Sequence, residues 1–380
     1  MRKRLPWVMC GVLVLALASG LWWWLGERHR HWPAWEAFAE GFIQADGRVV
    51  DHTAGGRTVS EGQAYAAFFA LVANDRERFD AVVSWTRNNL SDGSFATRLP
   101  AWLWGEKDDG SWGVIDANPA SDADLWLIFA LFEAARLWGA PDYNTMAQQL
   151  LIHVKGKVVP ELPGVGSMLI PAPEGFLLES GHWRLNPSYL PEFQFRYLQE
   201  RDPEGPWMAI WRHHLALMQT HLTQGLAPDW YEVDDNGTPS VCSVTGSIGS
   251  YDAIRVYLWA AMAPTQSSGQ GMMPILAAAA PVLRRAVTGE PIEKVDTLTG
   301  EGQGTTPAGF AAALLPYFDA LGDDSAVAAL RERLKADRHD GHLGQPAHYF
   351  EQVLALFGEG FFERRFGFDG LGRLNTRWMH

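Results

Sequence analysis

Three acidic residues stand where their carboxyl groups could do chemistry. Asp122, with Asp124, lies in Ala120-Ser121-Asp122-Ala123-Asp124, directly before a long apolar segment, and Glu61 and Asp252 also stand at the start of apolar segments. An acid in the first turn of a helix often only opposes the positive end of the helix dipole. Two carboxyl groups with opposite protonation, however, could cleave a glycosidic bond. That reaction needs an acid for the leaving oxygen and a base or nucleophile on the other side.

The neighbours of these acids suggest which one carries the proton. Asp252 precedes Arg255 by three positions, so the guanidinium can reach the carboxylate and favour its charged form, although the pair could also be purely structural. Glu61 follows Ser60, the expected N-cap of its helix, and a helix N-terminus favours the charged form of an acid. The pKa of Glu61 could therefore rise only through burial or a nearby negative charge, for which Asp122 is the available source.

The elements that must position these acids are predicted to be helices. No part of the chain has the pattern of alternating parallel strands and helices, and only Gly175 to Leu185 and Trp230 to Ser243 could be hairpins. Long connections, such as 91–120 and 159–186, separate pairs of helices that are joined by short ones. Amphipathic periodicity predicts twelve helices, at 32–42, 60–74, 76–90, 121–139, 143–158, 187–200, 206–224, 247–262, 268–288, 307–321, 325–337 and 348–359.

Twelve antiparallel helices in six pairs predict an all-α fold, an (α/α)6 barrel with an inner and an outer ring of helices and short β-hairpins in its loops. The inner helices of such a barrel run in one direction, so their N-termini open on one face. The second, fourth and eighth predicted helices bring Glu61, Asp122 and Asp252 to this face, and the sixth brings Tyr189. Acids far apart in the sequence are thus expected to converge.

Composition restricts the class of ligand. The chain has 380 residues, a net charge of −13 and no basic run in its body, which argues against nucleic acid as a partner. Its 18 tryptophans and 19 phenylalanines exceed what a core needs, and flat sugar faces stack on indole rings, so a sugar ligand is plausible. The phosphate-binding Gly-rich loop is missing from the sequence, and this chemistry requires neither a cofactor nor a metal.

The N-terminal sequence has the pattern of an export signal. Arg2-Lys3-Arg4 precedes the apolar stretch Leu5 to Leu25, and Ala16-Leu17-Ala18 fits a cleavage site. We expect a signal peptide at 1–20, which could extend to 25. Trp22-Trp23-Trp24 is also compatible with an uncleaved anchor, and this would be the only contact with a membrane.

One catalytic domain is expected at 32–370, followed by a C-terminal tail at 371–380. After export the chain would keep only Cys242, so an internal disulfide is impossible. A core of this size needs no disulfide, and we expect the protein in a bacterial periplasm.

Five separated motifs resemble those of glycoside hydrolase family 8. The first is Ala120-Ser121-Asp122-Ala123-Asp124, with Ala130 and Trp138 at the family's spacing, while Leu127 and Ile128 are apolar departures from its signature. The resemblance runs from about Trp35 to Phe368. The other four motifs are Ser60-Glu61-Gly62-Gln63, Leu99-Pro100-Ala101-Trp102-Leu103-Trp104-Gly105, Asn186-Pro187-Ser188-Tyr189-Leu190-Pro191 and Ser250-Tyr251-Asp252-Ala253-Ile254-Arg255.

The resemblance implies an inverting endo-β-1,4-glucanase, a cellulase associated with bacterial cellulose synthesis. Glu61 matches the proton donor and Asp252 the general base. Asp122 matches an acid that is assigned either as a nucleophile or as a residue that holds the distorted sugar, and we expect the second role because inversion has no covalent intermediate. The implied partners are a β-1,4-glucan chain and the cellulose synthase export complex.

Further residues on the expected active face could bind the glucan. Each aromatic residue among them is by itself more typical of a core, but their grouping near three acids favours sugar stacking. The expected substrate-binding residues are Trp102, Trp104, Trp112, Asp124, Tyr189, Tyr251 and Arg255.

Two other functions remain compatible with the sequence. The same fold and mechanism could act on chitosan, xylan or mixed-linkage glucan, and chitosan would suit the acidic net charge. Alternatively, the protein could be a non-catalytic glucan-binding component of an export machine. The presence of Glu61 and Asp252 counts against this, because binding alone would tolerate their loss.

Overall fold

Two rings of helices form the body of the structure, a computed structural model that describes residues 31–264 and 271–379. Six helices form the inner ring: α2 Ser60–Val72, α4 Ser121–Trp138, α6 Glu192–Arg201, α8 Ala253–Met262, α12 Ala308–Ala320 and α14 Tyr349–Phe362. The outer elements are α1 Pro33–Phe42, α3 Arg76–Leu90, α5 Pro141–Lys157, α7 Trp207–His221, the short helices α9 Met273–Leu276, α10 Ala280–Leu283 and α11 Arg285–Thr288, and α13 Asp324–Ala336.

The sequence of each helix explains its ring. All residues from Ser121 to Ala134 of α4 are buried, and a helix that is apolar on every side must be surrounded by protein. The outer α3 buries one face and exposes charged residues on the other. Phe357 of α14 closes the inner ring against Phe69 of α2, with 4.5 Å between the ring centroids, and Trp126 of α4 contacts Phe357 at 5.0 Å. The predicted (α/α)6 architecture is confirmed.

Proline explains two departures from the predicted helices. The helix expected at 187–200 begins at Glu192, after a 3₁₀ turn at Pro187–Tyr189 and Pro191. The helix expected at 268–288 is divided into α9, α10 and α11: Pro274 lies in the first turn of α9, and Pro281, which lacks the N–H that a continuous helix needs, separates α9 from α10. Residues 265–270 lie outside the described part. A third departure has another cause: α8 begins at Ala253 rather than 247, because Ile248–Gly249 pairs as a strand.

Short strands in the loops hold the cleft face together. The hairpin expected at Trp230 to Ser243 is confirmed as β7 Tyr231–Val233 and β8 Pro239–Val241. The stretch expected as a second hairpin ends in β6 Trp183–Leu185, which pairs with β7. A hairpin that was not predicted, β2 Leu103–Glu106 and β3 Trp112–Asp116, pairs with β1 Thr58–Val59 before α2.

Nine more short strands, in four groups, lie in the loops of the described residues. Their bounds are β4 Glu161–Leu162 with β5 Gly166–Ser167, β9 Ile248–Gly249 with β10 Lys294–Asp296 and β11 Gly302–Gln303, β12 Arg338–His339 with β13 His342–Leu343, and β14 Phe366–Phe368 with β15 Leu374–Thr376.

Both ends of the described chain lie at the C-terminal ends of the inner helices. The first helix, α1, runs antiparallel to α14: Trp32 packs beside Gly360, whereas Phe42 reaches Tyr349, with 6.1 Å between ring centroids. Arg365 also donates a hydrogen bond of 2.8 Å to the carbonyl of His31. The chain therefore enters the barrel on the face opposite to the inner N-termini.

The last residues pack on the barrel. In the segment expected as a tail at 371–380, the N–H of Leu374 donates to Glu133 Oε2 at 2.7 Å, and Trp378 Nε1 donates to the carbonyl of Leu71 at 3.1 Å. The expected signal peptide at 1–20 lies outside the described residues. Within residues 31–264 and 271–379, no helix is both long enough and apolar enough to cross a membrane.

Candidate active site

A cleft of about 600 Å³ opens where the inner helices begin. Glu61 and Tyr65 of α2, Asp252 and Arg255 at α8, and Tyr349 of α14 line it together. Residues of α2 and α8, more than a hundred positions apart in the sequence, meet here because the inner helices run parallel and begin on the same face. Phe350 of α14 and Lys294 of β10 also line the cleft, together with the loop residues Asp51, Arg57, Asp229 and Tyr251.

The start of α2 is fixed by backbone contacts rather than by a serine cap. Val59, not Ser60, is the N-cap residue, and the Ser60 hydroxyl lies 3.4 Å from Glu61 Oε2. The N–H of Ser60 instead donates to the carbonyl of Trp102 at 2.9 Å. Gly62 leaves room for the next inner helix, since a Cβ there would lie 3.1 Å from the hydroxyl of Tyr349. Glu61 is therefore held on the cleft side of α2.

Arg255 joins three of the inner-ring polar groups. Its Nη1 donates to the Tyr65 hydroxyl at 2.8 Å and to Asp122 Oδ2 at 3.0 Å. Its Nη2 donates to Asp252 Oδ1, so the predicted pairing of Asp252 with Arg255 is confirmed. The guanidinium is 6% exposed, and its charge is compensated by these two carboxylates.

Of the two neighbouring carboxyl groups, Glu61 and Asp122, Glu61 keeps its proton to the higher pH. Burial, followed by the negative charge of Asp122, raises the pKa of Glu61 to about 8, against the opposing effects of a hydrogen bond from its own backbone N–H and of the charge of Arg255. Burial also raises the pKa of Asp122, but Arg255 opposes this shift through its charge and its hydrogen bond. Asp122 therefore ionises more readily than Glu61. The conflict between the helix dipole and a protonated Glu61 is resolved by burial and by Asp122, the two sources that the sequence left available.

Four expected binding residues surround this centre at different depths. Tyr189 is half-buried, with its ring centroid 5.9 Å from the Arg255 guanidinium carbon, and Tyr251 is exposed on the cleft wall against Phe310. The backbone of Trp102 connects the strands before α2 to the segment before α4, and its side chain is half-buried. Asp124, by contrast, is fully buried and does not belong to the cleft lining.

Trp104 and Trp112 belong to a different aromatic cluster. Their ring centroids are 5.4 Å apart, and the Arg48 guanidinium lies over both rings at 4.3 and 4.9 Å. Trp104 also packs edge-on against Trp85. The two residues are absent from the lining of the cleft, although Trp112 is 47% exposed on the same hairpin side of the barrel. Their expected contact with substrate stays a prediction.

Comparison with known proteins identifies this constellation. Residues 14–364 match the model of a family described as Glycosyl hydrolases family 8. The chain belongs to glycosyl hydrolase family 8. Its relatives include proteins named endoglucanase from Xanthomonas axonopodis pv. citri strain 306, 46% identical over 91% of this chain and 89% of that one, and from Escherichia coli strain K12, 40% identical over 91% of both.

A solved structure of a family 8 relative shares the fold. The crystal structure of an endo-1,4-D-glucanase from Vibrio fischeri ES114 superposes with a TM-score of 0.85 at 36% sequence identity, covering 92% of this chain and all of that one. The family assigns the chain to the glycoside hydrolases, as the sequence motifs had implied.

The family 8 cleft contains polar residues that the sequence analysis did not select. Tyr65 is one of them, and its hydroxyl accepts a hydrogen bond from Arg255. Asp229, Lys294 and Tyr349 also line the cleft. The one available signal for Asp229 was an acid placed directly before the Trp230 hairpin, and Tyr65 could have been found as a polar aromatic one turn after Glu61.

Substitution of Asp122 should change the pH profile of this family 8 enzyme. Asp122→Asn removes the negative charge that helps to raise the pKa of Glu61. Glu61 would then lose its proton at a lower pH, so we expect the basic limb of the kcat/KM profile to move to lower pH, whatever the loss in rate. Hydrolysis rates measured from pH 4 to 10 test this.

Asp124→Asn is the matched control for that shift. Burial raises the pKa of Asp124 well above its ordinary value, and Asp124 is not among the groups whose charge shifts the pKa of Glu61. The basic limb of its kcat/KM profile should lie at the same pH as that of the wild type. Equal limbs for Asp122→Asn and wild type would show that Asp122 does not set the pKa of Glu61.

Proposed function

We propose that this family 8 enzyme is an endo-β-1,4-glucanase that cleaves its substrate with inversion of configuration. One observation carries the proposal: a single cleft holds a carboxyl group, Glu61, with a pKa of about 8, and a second carboxyl group, Asp252, bonded to a buried guanidinium. Glycoside hydrolysis needs this difference in protonation. The endoglucanase names of the relatives support β-glucan as the substrate class.

The proposed reaction has one displacement. Glu61 gives its proton to the glycosidic oxygen as the bond from that oxygen to the anomeric carbon breaks. Asp252 takes a proton from a water molecule, whose oxygen bonds to the anomeric carbon from the opposite face. The leaving oxygen keeps the electron pair of the broken bond and takes the proton of Glu61, and Asp252 takes the proton that the water loses. After turnover, solvent returns the proton to Glu61 and removes one from Asp252.

Asp122 has two proposed roles in this cycle. As an anion beside Glu61 it keeps the proton on that acid until the leaving oxygen accepts it. Its charge also favours the positive charge that develops on the sugar ring in an oxocarbenium-like transition state. The bond from Arg255 at 3.0 Å fixes the carboxylate in both roles. Because inversion has no covalent intermediate, Asp122 does not act as a nucleophile in this cycle.

The charge of the cleft favours a neutral sugar over chitosan. Its lining contains three cationic side chains, those of Arg57, Arg255 and Lys294. It also contains four acids, and with Glu61 protonated the three remaining carboxylates, Asp51, Asp229 and Asp252, equal the cations in number, while the Asp122 carboxylate behind Arg255 adds one negative charge. The negative net charge of the whole chain is therefore not concentrated here. A polycationic chain would meet Arg57 and Lys294 as repelling charges.

Oligosaccharide hydrolysis tests the substrate. We expect cellohexaose to be cleaved internally, with a kcat/KM at least about tenfold above that for the glucosamine hexamer, a difference of about 1.4 kcal/mol. Xylohexaose lacks the hydroxymethyl group of each unit, and one missing group is typically worth about 10-fold or more in specificity. A mixed-linkage hexasaccharide completes the set. Faster cleavage of any of the other three would contradict the β-1,4-glucan assignment.

The anomer of the first product tests the stereochemistry. Inverting enzymes hold their two carboxyl groups about 6.5–9.5 Å apart, which leaves room for the water, whereas retaining enzymes hold them about 5–5.5 Å apart. In proton NMR spectra taken within the first turnovers, we expect the α-anomer before mutarotation mixes the two forms. If the β-anomer came first, Asp252 would not be a base and Asp122 would become the candidate nucleophile.

We further propose that the enzyme acts in the periplasm, in association with bacterial cellulose synthesis. The signal-like sequence at 1–20 supports export, and the resemblance of motifs such as those at 99–105 and 186–191 to endoglucanases encoded with bacterial cellulose synthases supports the link to a synthase export complex. The mass of protein taken from the periplasmic fraction tests the location, since we expect its N-terminus near Ala18 to Gly20. Cross-linking to synthase subunits in cells tests the association, and protein confined to the cytosol would contradict both.

A further inference from the structure

Asp229 uses one oxygen atom to hold the turn that carries Asp252. It lies in the loop between α7 and β7, and its Oδ1 accepts three backbone hydrogen bonds. The donors are the N–H groups of Ser250 at 2.7 Å, Asp252 at 3.1 Å and Ala253 at 2.8 Å. A single carboxylate thus binds the last residues before α8 and its first residue.

This arrangement replaces an ordinary helix cap. The first N–H groups of a helix lack partners within it, and an Asp at the N-cap position usually accepts from them with its own side chain. Asp252 is the N-cap residue of α8, but its side chain does not cap the helix. It bonds to Arg255 instead. Because Asp229 accepts the N–H groups, the Asp252 carboxylate is free to point towards the cleft.

The support for Asp229 is itself rigid. The N–H of Asp229 donates to the carbonyl of Ile248 at 2.8 Å, and that of Ala227 donates to the Tyr257 hydroxyl of α8 at 2.8 Å. Gly249 permits the close approach of the two segments, since a Cβ there would lie 2.2 Å from the carbonyl oxygen of Ala227. Loop and helix start therefore form one unit that can transmit the position of Asp229 to Asp252.

The charge of Asp229 suits the same task. Burial, and then the charge of Asp252, raises the pKa of Asp229 to about 6, while its three hydrogen bonds lower it. At pH 7 it is therefore mainly a carboxylate, and an ionised acceptor makes stronger hydrogen bonds than a neutral one. Two carboxylates are kept close together here, which is unfavourable unless each has donors of its own. The donors to Asp229 are backbone N–H groups, and the donor to Asp252 is Arg255.

We propose that Asp229 is a positioning residue for the general base: it caps α8 in place of Asp252 and so keeps the Asp252 carboxylate available to activate water. The inference rests on the proposed role of Asp252 as the base. It assigns Asp229 no proton transfer of its own, although Asp229 lines the same cleft. Its effect should therefore depend mainly on an acceptor oxygen at this position, whose hydrogen bonds the negative charge strengthens but which a neutral amide also supplies.

Two variants of Asp229 separate positioning from catalysis, with cellohexaose as substrate. Asp229→Ala removes the acceptor, and we expect kcat to fall at least about tenfold with KM within about threefold, since a misplacement of about 1 Å can cost about 10²-fold. Asp229→Asn keeps an acceptor oxygen, and we expect its kcat within about threefold of wild type. Asp234→Ala, which removes an aspartate that accepts from the N–H groups of Asn236 and Thr238 in the β7–β8 turn, is the control.

A wild-type kcat in Asp229→Ala would overturn the proposal, and so would equal losses in Asp229→Ala and Asp229→Asn, which would show that the charge is needed. Should Asp229→Ala not fold, as judged by its Tm and circular dichroism, the kcat of Asp229→Asn decides. Asp252→Ala, assayed in parallel, tests the underlying function: full activity there would contradict the base role itself. Sodium azide, a nucleophile that needs no base, should raise turnover in Asp252→Ala but not in Asp229→Ala. The reverse result would make Asp229 the base.

Discussion

Replacing Glu61 with glutamine should remove nearly all hydrolysis of unactivated glucan while leaving oligosaccharide binding in place. The amide keeps the shape of the side chain at the start of α2 but has no transferable proton. General acid catalysis is typically worth about 10²–10⁴-fold, so we expect kcat for Glu61→Gln to fall by at least about 10²-fold. Reducing-end release from cellohexaose gives the rate, and calorimetric titration with cellotetraose gives the affinity.

A substrate with a better leaving group identifies the lost step. An aryl β-cellotrioside with a dinitrophenol leaving group needs little protonation, so Glu61→Gln should recover much of its activity on it. Glu77→Gln is the matched control, because Glu77 is an exposed acid in the first turn of the outer helix α3. It should behave as wild type. More than about a tenth of the wild-type rate in Glu61→Gln on cellohexaose would remove Glu61 from the acid role.

Replacing Asp252 with asparagine should cost a similar amount for a different reason. The amide oxygen can still accept from Arg255, but it cannot take the proton of the attacking water. We expect kcat to fall by about 10²-fold or more, with affinity for cellotetraose retained. The activated aryl substrate should give no recovery, because water must still be deprotonated. Steady-state rates on both substrates, compared with those of Glu61→Gln, separate the two roles.

The exposed Asp324, an acid in the first turn of the outer helix α13, provides the control for this variant. Asp324→Asn should keep the wild-type rate. Recovery of Asp252→Asn on the aryl substrate would indicate a role in protonating the leaving group instead, and an unchanged rate on cellohexaose would exclude any catalytic role.

The sequence allows the ring and the convergence of acids to be predicted because both follow from periodicity. Helices that are apolar all round must be inner, and inner helices share a direction, so Glu61, Asp122 and Asp252 must reach one face. The contact between Asp252 and Arg255 is equally local, as it spans three positions. The bond from Arg255 to Asp122 spans 133 positions, and only the packed ring determines it.

The errors have the same physical origin, since tertiary contacts replaced local preferences. Ser60 is a good N-cap residue by type, but Val59 pairs with Leu103 in a strand, and this keeps the chain extended up to the helix. Asp229 was missed because its task is to accept backbone N–H groups 21 to 24 positions away, and a side chain type alone gives no indication of such partners. The two causes of the raised pKa of Glu61, burial and the charge of Asp122, were foreseen, but the larger effect of burial required the structure.

The antiparallel course of α1 along α14 has a practical consequence for handling this enzyme. Because Trp32 lies beside Gly360, at the end of α14 that is remote from the cleft, His31 lies on the far side of the barrel. A polypeptide tether or a surface linker attached there would hold the molecule with its cleft facing outwards. Immobilisation through the N-terminus should thus leave an insoluble fibre free to enter, whereas a linker placed on the β2–β3 hairpin would stand beside the entrance.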